Sequence, residues 1–214
     1  MIEMCDLHGQ YNDIKEEIDR AIGEVLSSCH FVKGEPVTLF EQELATYLNV
    51  RHVIAVGNGT DAIQIALMSL GLQPGDEVIT PTFTFIATAE VVALLHLKPV
   101  VIDVEYNTMT ITADAVERAI TPRTRAIVPV HLFGQNVDME GILNVARRHN
   151  IPVIEDACQS LGSEYTFSDG TTKKSGTMGT IGCTSFFPSK NLGCYGDGGA
   201  LFTDDDTLAA RIRM

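Results

Sequence analysis

Lys190 closes the segment Ser185-Phe186-Phe187-Pro188-Ser189-Lys190, and a glycine-rich run from Gly193 to Gly199 follows it. A lysine amine drawn out of water is a usable nucleophile and base, and it can condense with a carbonyl to form a Schiff base. Thirty-four positions earlier (190 − 156), the apolar run Ile151-Pro152-Val153-Ile154-Glu155 ends on Asp156. A carboxylate there can hold a protonated ring nitrogen. Those two groups, with the hydroxyl of Ser185 near the lysine, are the parts that pyridoxal 5′-phosphate chemistry needs. That cofactor works as an electron sink only while its ring nitrogen keeps a proton.

Each of these residues also has a plainer reading. Lys190 alone would be a solvated surface charge, but it follows the apolar run Cys183–Phe187 and is flanked by Pro188 and glycines, which favours a pocket at a strand end. Asp156 could cap a following helix. Gln159, three residues on, could complete that cap or hydrogen-bond a cofactor hydroxyl. Gly57-Asn58-Gly59-Thr60-Asp61-Ala62 follows an apolar run and opens a helical pattern, so its N–H groups form an anion site. The same six residues satisfy the G-x-G-x-x-A form of the dinucleotide fingerprint, which makes a nicotinamide-dependent oxidoreductase the rival enzyme. Against it, the motif follows two long helices instead of opening the first βαβ unit. That reading also leaves Asp156 and Lys190 unexplained, while a simple turn and cap would account for the glycines alone. Phe83 and Phe85, in Pro81-Thr82-Phe83-Thr84-Phe85, could be core, or one could lie flat on a cofactor ring.

The elements that must position these groups show as changes of hydrophobic period. Ile14, Ile18, Ala21, Ile22, Val25 and Leu26 predict a first amphipathic helix, with Asn12 as its cap; Val37, Phe40, Leu44, Tyr47 and Leu48 predict a second. Short apolar strands are expected at 52–56, 77–80, 99–104, 125–130, 151–155, 182–187 and 200–203. Helices fit between them at 57–70, 84–95, 112–120 and 138–149. This alternation predicts an α/β fold, a three-layer sandwich around a mostly parallel sheet. Tyr165–Thr180 is expected to be a surface hairpin or loop, and Asp204-Asp205-Asp206 a helix start. The division expected is an N-terminal helical segment at 1–30 and a cofactor-binding large domain at 31–214.

Composition narrows the class. With 214 residues, 45% of them hydrophobic and 20% charged, the chain can bury a substantial core. A net charge of −13 argues against a broad nucleic-acid surface. The five cysteines are widely spaced without a C-x-x-C, and the six histidines show no H-x-x-x-H, so neither a disulfide framework nor a metal site is supported. Buried thiols in a cytoplasmic protein are expected. Met1-Ile2-Glu3-Met4 lacks the basic and apolar regions of a secretion signal, and no apolar run reaches the ~20 residues of a membrane span. Thr207–Met214 reads as a helix with no cap behind it, so the expectation is a truncated chain.

Four segments carry a resemblance to a known family: Asn58-Gly59-Thr60-Asp61-Ala62, Pro81-Thr82-Phe83-Thr84-Phe85, Glu155-Asp156-Ala157-Cys158-Gln159-Ser160, and Ser185 through Gly193. In this order and spacing they resemble the DegT/DnrJ/EryC1/StrS sugar aminotransferases, fold-type-I pyridoxal phosphate enzymes that aminate nucleotide-linked keto-sugars. The resemblance implies that Lys190 is the Schiff-base lysine, Asp156 the partner of the ring nitrogen and Gln159 the contact to the ring hydroxyl. Gly59, Thr60 and Ser185 would hold the phosphate, and Phe85 would stack on the ring. Related sugar dehydratases carry histidine in place of the lysine, so Lys190 implies transamination.

The segments around 181–185 and 192–197 most resemble the subgroup acting on UDP-2-acetamido-2-deoxy-3-keto-glucuronate, with L-glutamate as donor, in amino-sugar and polysaccharide (O-antigen) biosynthesis. Another 3- or 4-keto nucleotide-sugar, such as a dTDP-keto-deoxyhexose, is the alternative substrate. The family also implies a homodimer with its active site at the subunit interface and a smaller C-terminal domain that this sequence lacks. A non-catalytic module, either a fragment that folds and dimerises or a cofactor-binding regulator, is the remaining alternative.

Overall fold

A computed structural model describes residues 5–214, so the reading of Met1–Met4 lies outside the described residues. Two helices lead: α1 (Leu7–Ser28) and α2 (Glu35–Leu48). Strands and helices then alternate as β1 (His52–Val56), α3 (Gly59–Ser69), β2 (Glu77–Pro81), α4 (Ala87–Leu94), β3 (Lys98–Ile102), α5 (Ala113–Ala119) and β4 (Thr124–Ile127). A 3-10 turn at Leu132–Gly134 precedes α6 (Met139–His149) and β5 (Ile154–Asp156). The two-stranded hairpin of β6 (Glu164–Thr166) and β7 (Thr172–Lys174) fills the stretch expected to be a hairpin or loop. Last come β8 (Ile181–Ser185), β9 (Gly199–Thr203) and α7 (Asp206–Ile212), the last capped by Asp205 as the aspartate run predicts.

β3, β2 and β4 are parallel neighbours, and β5, β8, β9 and β1 form a second ladder. Parallel bridges Ile127–Val153 and Val130–Asp156 join the two. The continuous order is therefore β3-β2-β4-β5-β8-β9-β1, in which β9 alone runs against its neighbours. Side-chain alternation along the strands sorts the core into two layers. Val78, Ala126, Ile154 and Leu201 face α3, α4 and α7. Their chain neighbours Ile79, Ile127 and Val153 face α5 and α6, and Ala200 and Phe202 face α2. Both faces of the sheet are covered, which is the expected three-layer α/β sandwich.

Two expectations need correction. The cap of α1 is Asp6, whose Oδ1 accepts from Gly9 N at 2.8 Å, not Asn12. The first turns of this helix are largely solvated, so no apolar period marked them. The cysteines are all free, but only Cys183 is fully buried; Cys5 and Cys29 are exposed because they flank α1, which buries no residue. Among the described residues, no helix is long and apolar enough to cross a membrane.

Candidate active site

The carboxyl ends of β5 and β8 and the N-terminus of α3 meet at one edge of the sheet, where open α/β sheets place their ligands. A cavity of about 560 Å³ opens there, lined mainly by apolar surface. All seven residues singled out in the sequence line it: Gly59, Thr60, Phe85, Asp156, Gln159, Ser185 and Lys190. The glycine turn thus faces the same space as Lys190 and Asp156. Its strand, β1, lies at the sheet edge beside antiparallel β9, whereas a dinucleotide unit needs that strand central and parallel. The oxidoreductase reading falls on this point.

Asp156 is 5% exposed. No helix starts behind it, so it is not a helix cap; its Oδ1 accepts from Cys158 N at 3.2 Å in a tight turn. Its Oδ2 accepts from the hydroxyl of fully buried Thr88 at 2.8 Å. That hydroxyl has given its one proton to Asp156, so at 3.3 Å from Thr84 Oγ1 it accepts. Both carboxylate oxygens are fixed, yet among the described residues Asp156 has no ion-pair partner. A buried carboxylate without a cation is costly. A protonated ring nitrogen would remove that cost.

The opposite wall is main chain. Asn58 caps α3, its Oδ1 accepting from Asp61 N at 2.8 Å. The N–H groups of Gly59 and Thr60, first in the helix, have no intrahelical acceptor and suit an anion. A Cβ on Gly59 would stand 2.7 Å from Ser185 Cβ and 2.9 Å from Cys158 Sγ. Only glycine lets the helix start come this close to the end of β8. Bare N–H groups, the hydroxyls of Thr60 and Ser185, and a carboxylate lacking a cation fit the phosphate and ring nitrogen of pyridoxal phosphate.

Lys190 sits half-buried in the return from β8 to β9. Its own N–H donates to Phe187 O at 2.8 Å, while its Nζ makes no hydrogen bond or ion pair among the described residues. Burial and the nearby Asp156 charge push the Cys158 thiol well up, so it stays an inert neutral wall beside the lysine. Phe83 and Phe85 are not core: they are 47% and 67% exposed, and Phe85 stands over the cavity.

Gln159 is oriented from behind: its Oε1 accepts from Phe133 N at 2.8 Å. Phe133 has φ 56° and ψ 26°, a left-handed conformation that costs a side-chain-bearing residue about 1–2 kcal/mol. Beneath it, fully buried Glu155 accepts from Gly176 N and Met178 N at 3.0 and 2.6 Å, and from Gly179 N. His131 Nδ1 accepts from Val137 N, so its ring proton is on Nε2 and points to Glu155 at 2.9 Å. This brace locks β5 against the turns on either side of it.

Thr88, Cys158, Asp61 and Asp197 were not singled out in the sequence as parts of this site. Thr88 stands in the first turn of α4, just past a strand end. A hydroxyl at that place is the one signal that could have found it; the other three carry none.

The profile of the DegT/DnrJ/EryC1/StrS aminotransferase family matches residues 12–214. The UDP-2-acetamido-2-deoxy-3-oxo-D-glucuronate aminotransferase of Pseudomonas aeruginosa is 51% identical over 214 residues, covering 100% of this chain and 58% of that protein. The crystal structure of S. venezuelae DesV in complex with a ketimine intermediate superposes with a TM-score of 0.94 at 41% identity, over 100% of this chain and 56% of the other. That of Bacillus subtilis NtdA with bound cofactor PMP gives 0.85 at 41% identity, over 94% and 44%. The chain thus spans 44–58% of the length of these relatives. On a profile match along nearly its whole length, the chain belongs to the DegT/DnrJ/EryC1/StrS aminotransferase family.

Proposed function

We propose that this chain is the cofactor-binding part of a pyridoxal phosphate-dependent aminotransferase that moves an amino group, with L-glutamate as donor, onto a nucleotide-linked keto-sugar. The carrying observation is that a free lysine and a buried carboxylate without a cation line one cavity, with the Gly59–Thr60 N–H groups on a further wall. UDP-2-acetamido-2-deoxy-3-keto-glucuronate is the favoured acceptor, given the Pseudomonas aeruginosa relative. Another 3- or 4-keto nucleotide-sugar, such as a dTDP-keto-deoxyhexose, is the alternative; the family also holds a dTDP-3-amino-3,4,6-trideoxy-alpha-D-glucose transaminase at 41% identity.

When bound, pyridoxal phosphate supplies an electrophilic carbonyl and an electron-withdrawing ring. Lys190 Nζ would tether it and, once the donor amine has displaced it, would be the free amine that takes the proton from the donor's α-carbon and, in the return half-reaction, delivers one to the sugar carbon that becomes the amine. Asp156, held by the Thr88 hydroxyl and the Cys158 N–H, would be the partner of the ring nitrogen. Gly59, Thr60 and Ser185 bind the phosphate, Gln159 the ring oxygen, and Phe85 covers the ring face.

The charged groups lining the cavity are Asp61, Asp156, Asp197 and Lys190, while cofactor, donor and acceptor are all anionic. Further cations must therefore come from outside it. Leu7, Ile14, Ile22 and Leu26 on α1 are exposed. Both points support a homodimer with the site at the subunit interface. Five free cysteines support a reducing, cytoplasmic setting.

The test is borohydride reduction of protein incubated with pyridoxal phosphate, followed by peptide mapping, then assay of glutamate with a panel of keto-sugar nucleotides. The adduct is expected on Lys190 and absent in Lys190→Ala. An adduct elsewhere, or none, rejects the reading.

A further inference from the structure

Phe133 holds a left-handed conformation that its side chain does not explain, because that side chain is 77% exposed and meets Phe83 only edge-on at 6.4 Å. The conformation aims its N–H at Gln159 Oε1, 2.8 Å away. Gly134 continues the left-handed turn at φ 86°, and its carbonyl accepts from Ser163 Oγ at 2.8 Å. The turn is fastened twice to the segment that follows β5.

A main-chain N–H can only donate. The amide oxygen of Gln159 must therefore face Phe133, and its Nε2 is the end left over. We infer that Phe133 is a positioning residue: through its left-handed main chain it fixes the polarity of the Gln159 amide, so that Gln159 meets the cofactor's ring oxygen as a donor. This rests on the proposed function, since Gln159 lines the cavity assigned to the cofactor. A donor there favours negative charge on the ring oxygen, which an amide free to turn over would do less well.

The full chain and five variants are titrated with pyridoxal phosphate, reading both affinity and the pH midpoint of the bound cofactor's visible band. Phe133→Gly keeps the N–H and suits the left-handed backbone, so its midpoint matches the parent. Phe133→Val resists that backbone; about tenfold weaker binding and a midpoint raised by about one pH unit are expected. The double variant Phe133→Val/Gln159→Ala should equal Gln159→Ala, because Phe133 acts only through the amide. Gln159→Glu keeps an acceptor for Phe133 N–H while losing the donor, so its midpoint also rises at an unchanged melting temperature. This arm stands even where Phe133→Val fails to fold. A parental midpoint in Gln159→Glu, or additive losses in the double variant, overturns the inference. A folded parent protein that takes up no pyridoxal phosphate overturns the proposed function instead.

Discussion

Thr88 Oγ1 donates to Asp156 Oδ2 at 2.8 Å, with the threonine fully buried and the aspartate nearly so. The helix that follows β2 thereby controls a carboxylate at the end of β5. Thr88→Val keeps the volume and removes the donor, leaving a buried charged oxygen unpartnered. The expected cost to apoprotein stability is about 1–3 kcal/mol in urea unfolding, with pyridoxal phosphate binding weakened as well. Thr88→Ser should recover most of both. Parental stability and affinity in Thr88→Val would show that the bond does nothing.

Gly59→Ala tests the close approach of α3 to β8. Alanine suits a helix start, so any loss comes from the contacts at 2.7 Å with Ser185 Cβ and 2.9 Å with Cys158 Sγ. Prying these apart should cost roughly 1–3 kcal/mol and lower affinity for pyridoxal phosphate more than for a phosphate-free analogue such as pyridoxal. Adding Cys158→Ala relieves one contact and should restore part of the loss. Equal losses for the two ligands would mean that the cradle does not hold the phosphate.

Glu77 predicts an acid-sensitive part of the stability. Buried at the start of β2, it accepts from Thr121 Oγ1 at 2.5 Å and pairs with Lys98 at 3.1 Å and Arg123 at 2.8 Å. The Thr121 hydroxyl first, then Lys98 and Arg123, hold its carboxyl down to about 2 from an ordinary 4.5. A lowered folded-state value stabilises the fold above pH 4.5, and that contribution is lost as pH falls towards 2. Glu77→Gln should therefore be less stable than the parent at pH 7, with the gap closing between pH 4.5 and 2. A gap that stays constant across that window in denaturant titrations would disprove the linkage.

Much of the site was legible because its residues sit where hydrophobic period breaks off. Ile151–Glu155 ends on Asp156 and Cys183–Phe187 runs into Lys190, and strand ends in such sheets share one edge. The reversal of β9 was not legible: Ala200–Thr203 is an apolar run whose composition carries no direction. Phe133 was hidden for a different reason. Its conformation is imposed by bonds to Gln159 and through Gly134 to Ser163, some thirty positions away in sequence, and nothing local asks an aromatic to adopt it. Asp6 escaped notice because a solvated first turn carries no apolar repeat.

The pairing of β1 with β9, which sets His52 against Thr203, has a consequence for synthesis on the ribosome. Among the described residues β9 is the only strand beside β1, and roughly 150 residues (203 − 52) separate the two. At ~5–20 residues per second, the nascent chain spends about 8–30 s with the first strand made and its neighbour not yet translated. Through that interval Val53 and Ile54 have no ladder to join, and the start of α3 has no β8 to rest against. The Gly59–Thr60 helix start, encoded early, is thus assembled late, and premature release of the chain before residue 199 would leave an open strand edge available for association with other chains.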